Sequence, residues 1–471
     1  MGFVIDLQRK FLKAHLKYDW CIDTYLISFS CFYWEAFLTT ILQNFTIIAK
    51  TRSMLTQTQG RPRILLVADY LEGTGFHRVA QHIKKALSPH FEIHQVGIAY
   101  WGEVFVDDDG TTIYPQADQQ DGQMGHKHIG RLIEQLQPAV FFIVYDIIFV
   151  RFLLEALRYQ THLMVTGAYI ALDGHIVKKR KMIAPLKKLD FCVLYNQYAF
   201  EQIQNLLKEQ PSLLPKKVDF EIIPHGVETS IFYPLDHSSQ QRRTTARKQL
   251  FPNLKNPDQV FIVLNANRPT SRKRLDITLQ AFAEFAQGKS SNDVKLCLHH
   301  TFTNGQLSDD IQQLVRTIAL QDYVLPSPIA MGQNTVDNTT LNLIYNACDV
   351  GLNTCMGEGW GLVNCEHGAT QAAQILPKHT SFPEIWQQAA AWVMPTGLVK
   401  VDFTSHQMYE LAPDAVAQQL ALLYHNPSLR NRLALAALKK MNEAQYSWEK
   451  IEQKWEALFL KHLQRLPTLA H

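Results

Sequence analysis

From Arg61 onward, short unbroken apolar runs alternate with longer stretches in which apolar residues recur every three or four positions. Unbroken runs suit strands buried on both faces of a parallel sheet, and the longer recurrence suits the helices that cover such a sheet. One series of strands is expected at Ile64–Ala68, Phe91–Gly97, Val140–Tyr145, Leu163–Tyr169, Phe191–Tyr195 and Glu221–Ile223. A second is expected at Val260–Asn265, Val294–His299, around Val324, and at Val350–Leu352. Strand–helix alternation of this kind predicts an α/β chain with two doubly wound halves. The stretch Pro234–Asp258, rich in Ser, Gln, Arg and Asn, reads as a linker between them. No internal repeat is visible.

Ahead of this pattern lies a different segment. Thr24–Ile48 holds one charge, Glu35, in 25 residues, with Lys10, Lys13 and Lys17 before it and Lys50 and Arg52 after it. The length suits a bilayer span, but Glu35, Gln43 and Asn44 make a span costly and favour a helix lying on a membrane surface or packed on the body. Residues 1–54 are therefore expected to form an apolar, amphipathic helical extension that contacts a membrane surface.

At 471 residues the chain exceeds one ordinary core, and its net charge of +3 gives no global footprint for nucleic acid. Three basic clusters stand out: Lys178–Lys181, Lys187 with Lys188, and Arg242 with Arg243, Arg247 and Lys248. They are read either as solvated helix faces or as surfaces for anionic lipid or acceptor phosphate. Seven cysteines without paired spacing argue against a disulfide framework and against zinc, which fits a reducing cytoplasm.

Chemistry concentrates in GLNTCMGEGWGLVNCEHGA, Gly351–Ala369, where seven residues separate Glu358 from Glu366. Gly357, Gly359 and Gly361 let backbone approach a ligand closely, and Leu362–Ala369 reads as a helix start. The free N–H groups and partial positive charge of such a start stabilise a diphosphate without a metal. The two carboxylates suit pairs of sugar or ribose hydroxyls. Trp360 is read either as stacking on base or sugar or as a packed aromatic.

This stretch resembles the E-x7-E signature of retaining glycosyltransferases of family 4. VFIVLNANRPTSRKRLDITLQAFAEF resembles that family's strand, Arg-Lys loop and helix, with Arg268 and Lys273 at its diphosphate-binding pair. EIIPHGVETSIFYP resembles its interdomain segment, with His225 in place of Asn and Glu228 in place of Asp. RILLVADYLEGTGFHRVAQHIKKAL resembles its first strand, glycine loop and helix, and YSWEKIEQKWEALF its C-terminal helix that crosses back to the first domain. The resemblance implies the GT-B fold: two Rossmann-like doubly wound domains facing a cleft, here with an extra N-terminal extension. The corresponding boundaries are 1–54 for the extension, 55–235 for an acceptor domain, 236–440 for a nucleotide-sugar domain and 441–471 for the returning helix.

The resemblance further implies retaining, metal-independent hexosyl transfer from a UDP-, GDP- or ADP-sugar to a glycan, lipid or other hydroxyl acceptor, with no cofactor. Catalytic roles fall to Arg268, Lys273 and Glu358, and donor contacts to Glu366, Gly359, Trp360, Gly361, Leu362 and Gly75. Asp146, Asp173 and His175 follow strands and are the acceptor-side candidates; Asp146 equally suits a helix cap. Asp173 stands nearest to where the family has a cleft histidine. After the helix start the family has Cys-Gly-x-Pro-Val, whereas this chain has Thr370, Gln371, Ala372, Ala373 and Gln374. A reshaped pocket edge or an extended helix is expected there. Two other classes are compatible with the residues: a non-catalytic sugar-nucleotide or glycan binder or scaffold on the same fold, and a membrane-docked binder of polyanions. A cytoplasmic location, peripheral on the inner face of the membrane, completes the expectation.

Overall fold

The computed structural model describes residues 60–116, 121, 123–214, 218–235, 239–299, 306–325, 336–401 and 406–464. Residues 1–54, and with them the expected membrane-surface segment, lie outside the described residues.

Residues Gly60–Leu466 gather into one compact unit built on two parallel sheets. Its strands are β1 (Arg63–Asp69), β2 (Glu92–Ile98), β3 (Phe105–Val106), β4 (Thr112–Pro115), β5 (Val140–Asp146), β6 (Val165–Ala171), β7 (His175–Ile176), β8 (Phe191–Leu194) and β9 (Asp219–Ile222). They continue as β10 (Phe261–Asn265), β11 (Val294–Leu298), β12 (Val324–Leu325), β13 (Val350–Leu352), β14 (Ala373–Pro377), β15 (Ala391–Val393), β16 (Gly397–Val401) and β17 (His406–Glu410). The first sheet runs β3-β4-β2-β1-β5-β6-β8-β9 and the second β12-β11-β10-β13-β14-β15. All pairings are parallel except β3 with β4. A small antiparallel sheet, β16-β17-β7, joins a hairpin of the second half to a short strand of the first.

The central strands are apolar throughout because helices cover both faces. The Gly75–Leu87 helix turns Val79, Ala80, Ile83 and Leu87 inward, and Thr74 caps its start by accepting from the His77 N–H at 3.0 Å. Leu65, Ile143, Ala168 and Ile170 belong to the first core; Val263, Leu279, Phe282, Leu296 and Ile375 belong to the second.

The Trp448–Leu463 helix returns to the first sheet. Trp455 and Phe459 pack on Phe142, Trp448 stacks on His82 at 3.7 Å, and Glu452 binds His82 at 2.8 Å.

The linker expectation for Pro234–Asp258 needs correction, because that stretch contains a helix, Ser239–Leu250. Its arginines are buried rather than turned to lipid or phosphate: Arg242 and Arg247 are each 1% exposed and Arg243 8%. Asp349 binds Arg247 at 2.6 Å and Arg243 at 3.1 Å, and Arg247 also donates to the Ala347 carbonyl at 2.8 Å. Buried guanidinium groups fixed by a carboxylate and carbonyls dock this helix on the second half. Among the other basic residues, Lys179 pairs with Glu209 at 2.7 Å and Lys188 with Glu155 at 3.1 Å. Among the described residues, no helix is long and apolar enough to cross a membrane.

Candidate active site

Parallel sheets expose the loops after their strands' carboxyl ends, and here the loops after β1, β6, β8, β10 and β13 converge on one cavity of about 200 Å3. Its lining includes Gly75, Asp173, Arg268, Lys273, Glu358 and Trp360. Gly359, Gly361 and Leu362 line it as well, so the second half contributes the turn between β13 and the Leu362–Ala369 helix.

Glycine is required in that turn. A Cβ at Gly357 would overlap the Asp173 carbonyl oxygen, one at Gly359 would lie 3.0 Å from the Asp173 carboxylate, and Gly361 has φ +91°. Asn196 caps the Gln197–Glu209 helix, and its side-chain N–H donates to the Gly359 carbonyl at 2.5 Å. A Cβ at Gly75 would lie 3.2 Å from the Leu362 side chain, so the two glycine loops face each other closely.

Glu358 is 7% exposed and pairs with Lys273; Arg272 stands 3.6 Å from the same carboxylate oxygen. Burial alone would raise its pKa, but Lys273 and Arg272 outweigh that and hold it below the usual value, so Glu358 is ionised. Arg272 also meets Asp173 at 3.3 Å and donates to the Gly357 carbonyl. One guanidinium thus ties the first half's Asp173 to the second half's glycine turn. Arg268 lines the cavity and is exposed.

Glu366 sits on the Leu362–Ala369 helix and does not line the cavity. It pairs with Arg78 of the Gly75–Leu87 helix and accepts from the Tyr345 hydroxyl at 3.0 Å. Burial raises its pKa despite these partners.

The acceptor-side candidates separate. Asp173 lines the cavity. Asp146 caps the Ile147–Leu153 helix by accepting from the Ile148 N–H at 2.9 Å, and burial together with the nearby Asp173 charge raises its pKa to about 7. His175 lies on β7, bound to the Tyr409 hydroxyl at 2.8 Å and to Gln202 at 3.2 Å, and is not among the lining residues.

After Glu366 the helix ends at Ala369 and is not extended. Gln371, at the position of the family's glycine, adopts a left-handed φ of 61°, and the buried Arg242 holds its carbonyl at 3.1 Å and its side-chain oxygen at 3.3 Å. Gln374 opens into the sheet and accepts from Asn364 at 2.9 Å. The turn is therefore made by different chemistry while β14 still pairs with β13.

Residue pattern does not mark Arg78, Arg272, Tyr345 or Asn196; Arg78 and Arg272 lie within the segments that resemble the family, which is the one sequence signal for them, and Tyr345 and Asn196 carry none. Among the described residues, no group of three or more His, Cys, Asp or Glu is placed to hold a metal ion.

No protein-family model matches the chain, and no curated protein matches it. Solved structures do. A sucrose-phosphate synthase from Thermosynechococcus elongatus matches with a TM-score of 0.65 at 16% identity, covering 85% of this chain and 99% of that one. The chain has the GT-B fold. Within the GT-B neighbours, the Anabaena protein HepE, solved in complex with UDP and glucose, matches with a TM-score of 0.61 at 12% identity over 85% of this chain and 100% of that one. A UDP-forming α,α-trehalose-phosphate synthase from Burkholderia xenovorans, in complex with glucose-6-phosphate, matches with a TM-score of 0.61 at 14% identity over 86% and 100% of the two chains. The loops of this GT-B chain that line the cavity are those that follow the carboxyl ends of its two sheets.

Proposed function

We propose that this protein is a glycosyltransferase that moves a hexose from a nucleotide-diphosphate sugar to a hydroxyl acceptor, with retention of anomeric configuration and without a required metal. The observation that carries the reading is the convergence of Arg268, Lys273, Glu358 and two glycine loops on one cavity between two parallel sheets. GT-B neighbours that include a complex with UDP and glucose support it, as does the five-segment resemblance to family 4.

As the bond from the sugar to the diphosphate breaks, negative charge builds on the leaving phosphate and positive character on the sugar carbon. Arg268 and Lys273, which line the cavity, stabilise the leaving charge in this reading, and the Leu362–Ala369 helix start adds its dipole. Glu358 takes sugar hydroxyls once Lys273 turns to phosphate. Glu366 exchanges Arg78 and Tyr345 for the ribose. The leaving phosphate oxygen accepts the acceptor's proton on the same face of the sugar, so the new bond forms where the old one was. Glycan, lipid or another hydroxyl compound serves as acceptor, and residues 1–54 place the enzyme at a membrane surface.

The test is nucleoside-diphosphate release from UDP-, GDP- and ADP-hexoses with a panel of hydroxyl acceptors, in chelator, followed by assignment of the product anomer. Release with one nucleotide class and a retained anomer is expected. No release, an inverted product or a strict metal requirement contradicts the corresponding part of the reading.

A further inference from the structure

His225 follows β9 in the segment that joins the two halves, where the resembled family has Asn. Its ring is 3% exposed and packed against Tyr195 at 4.3 Å and Trp360 at 5.3 Å, and it lines the cavity.

The tautomer of this ring can be read from its partner. The Tyr169 hydroxyl lies 2.6 Å from the Ile223 carbonyl oxygen and 2.9 Å from His225 Nδ1. A carbonyl only accepts, so the single hydroxyl proton goes to Ile223. His225 Nδ1 must then carry hydrogen and donate to the Tyr169 oxygen. Burial lowers the His225 pKa to about 3, so the ring is neutral and Nε2 holds a lone pair. Nδ1 is taken by Tyr169, which leaves Nε2 as the ring's acceptor.

A buried acceptor is stabilised by a donor. Diphosphate oxygens are themselves acceptors and do not complement a lone pair, whereas sugar hydroxyls donate. We propose that His225 Nε2 accepts a hydrogen bond from a hydroxyl of a hexose held in the cavity, with Tyr169 as the positioning residue that sets the tautomer. The proposal rests on the glycosyltransferase reading and adds to it a residue that discriminates among sugars. Either the transferred hexose or a sugar acceptor supplies the hydroxyl.

The test compares His225→Asn, His225→Gln and Tyr169→Phe with wild type, using the full chain. The Asn amide keeps a donor for Tyr169 and has no atom at Nε2; Gln places an oxygen acceptor near Nε2. Calorimetry with UDP, GDP and ADP and with their glucose conjugates reads the affinity that the sugar adds to the nucleotide, and transfer assays read KM for a sugar acceptor. In His225→Asn one of these is expected to weaken by about tenfold, the loss of one hydrogen bond, while nucleotide alone changes by less than about twofold. Gln restores most of the loss. A change in the donor increment assigns the hydroxyl to the donor; a change in acceptor KM alone assigns it to the acceptor. Nitrogen NMR of the ligand-free protein is expected to find the proton on Nδ1 in wild type and a mixed tautomer in Tyr169→Phe.

The proposal is overturned by a proton on Nε2 in wild type, by an unchanged increment and KM in a folded His225→Asn, or by an equal loss for nucleotide alone. If wild type binds nucleotide and the variants behave so, the functional reading stands and only this proposal falls. If wild type binds no nucleotide or conjugate of any class, both fall.

Discussion

At the residue scale, the site is a set of charges that satisfy one another across the cleft. Glu358 pairs with Lys273 and Arg272, and Glu366 pairs with Arg78. Each carboxylate thereby keeps a partner despite burial. Lys273→Ala removes a charge needed most as the leaving group departs, so kcat is expected to fall by about 10²–10³ while KM for the donor changes far less. Steady-state kinetics with the identified donor check this; a variant with wild-type kcat contradicts the role. Glu358 and Glu366 stand out by residue type and spacing, and Arg268 and Lys273 by the resemblance alone; Arg268, Lys273 and Glu358 line the cavity and Glu366 does not. Arg78 was not legible, since its partner lies 288 positions away and the pairing exists only once the halves face each other.

At the element scale, the parallel strands β1, β2, β5, β6 and β8 to β13 were legible to within two residues because burial makes them apolar runs, whereas β4, β14 and β15, whose apolar runs are shorter, were not expected. β7, β16 and β17 were not, because short antiparallel strands are fixed by partners from distant segments rather than by their own pattern. The Ser239–Leu250 helix was hidden for another reason: its buried face is made of arginines, which read as polar until Asp349 is placed beneath them. The glycine turn makes a sharper demand. Gly357→Ala puts a methyl group into the Asp173 carbonyl, so the variant is expected to lose about 1–3 kcal/mol of stability and to displace Glu358. Chemical denaturation together with donor binding tests it; a variant with unchanged midpoint and affinity would show that the close approach does not hold the site.

At the scale of the whole molecule, buried neutral histidines couple stability to pH. Burial lowers His225 and His367 to about 3 and His299 and His379 to about 4. The unfolded chain binds protons at these positions below about pH 6.5 and the folded chain does not, so stability from them is lost as pH falls through that value. Asp146 has the opposite sign, since its raised pKa of about 7 makes the fold prefer its protonated form as pH falls. Burial lowers His77, His82 and His128 in the same direction, and it raises Asp107, Glu366 and Glu384 as it does Asp146; the histidines outnumber these carboxyl groups, so the urea midpoint is expected to drop between about pH 7.5 and about pH 5. A flat or rising midpoint contradicts neutral burial of these rings. The histidines' burial, like the return of the Trp448–Leu463 helix to Phe142, depends on how distant segments pack, which residue pattern alone conveys only through resemblance to a family.

The proposed function requires that this cleft seat a nucleotide-diphosphate sugar with Glu366 as a donor contact. Calorimetric titration of the full chain with UDP-, GDP- and ADP-glucose in chelator, wild type beside Glu366→Ala, tests it most directly. Saturable binding to one nucleotide class is expected in wild type, weakened at least about tenfold in the variant, as for loss of a charge-assisted hydrogen bond. No binding by wild type, or equal affinity in both proteins, would rule out the proposed donor site.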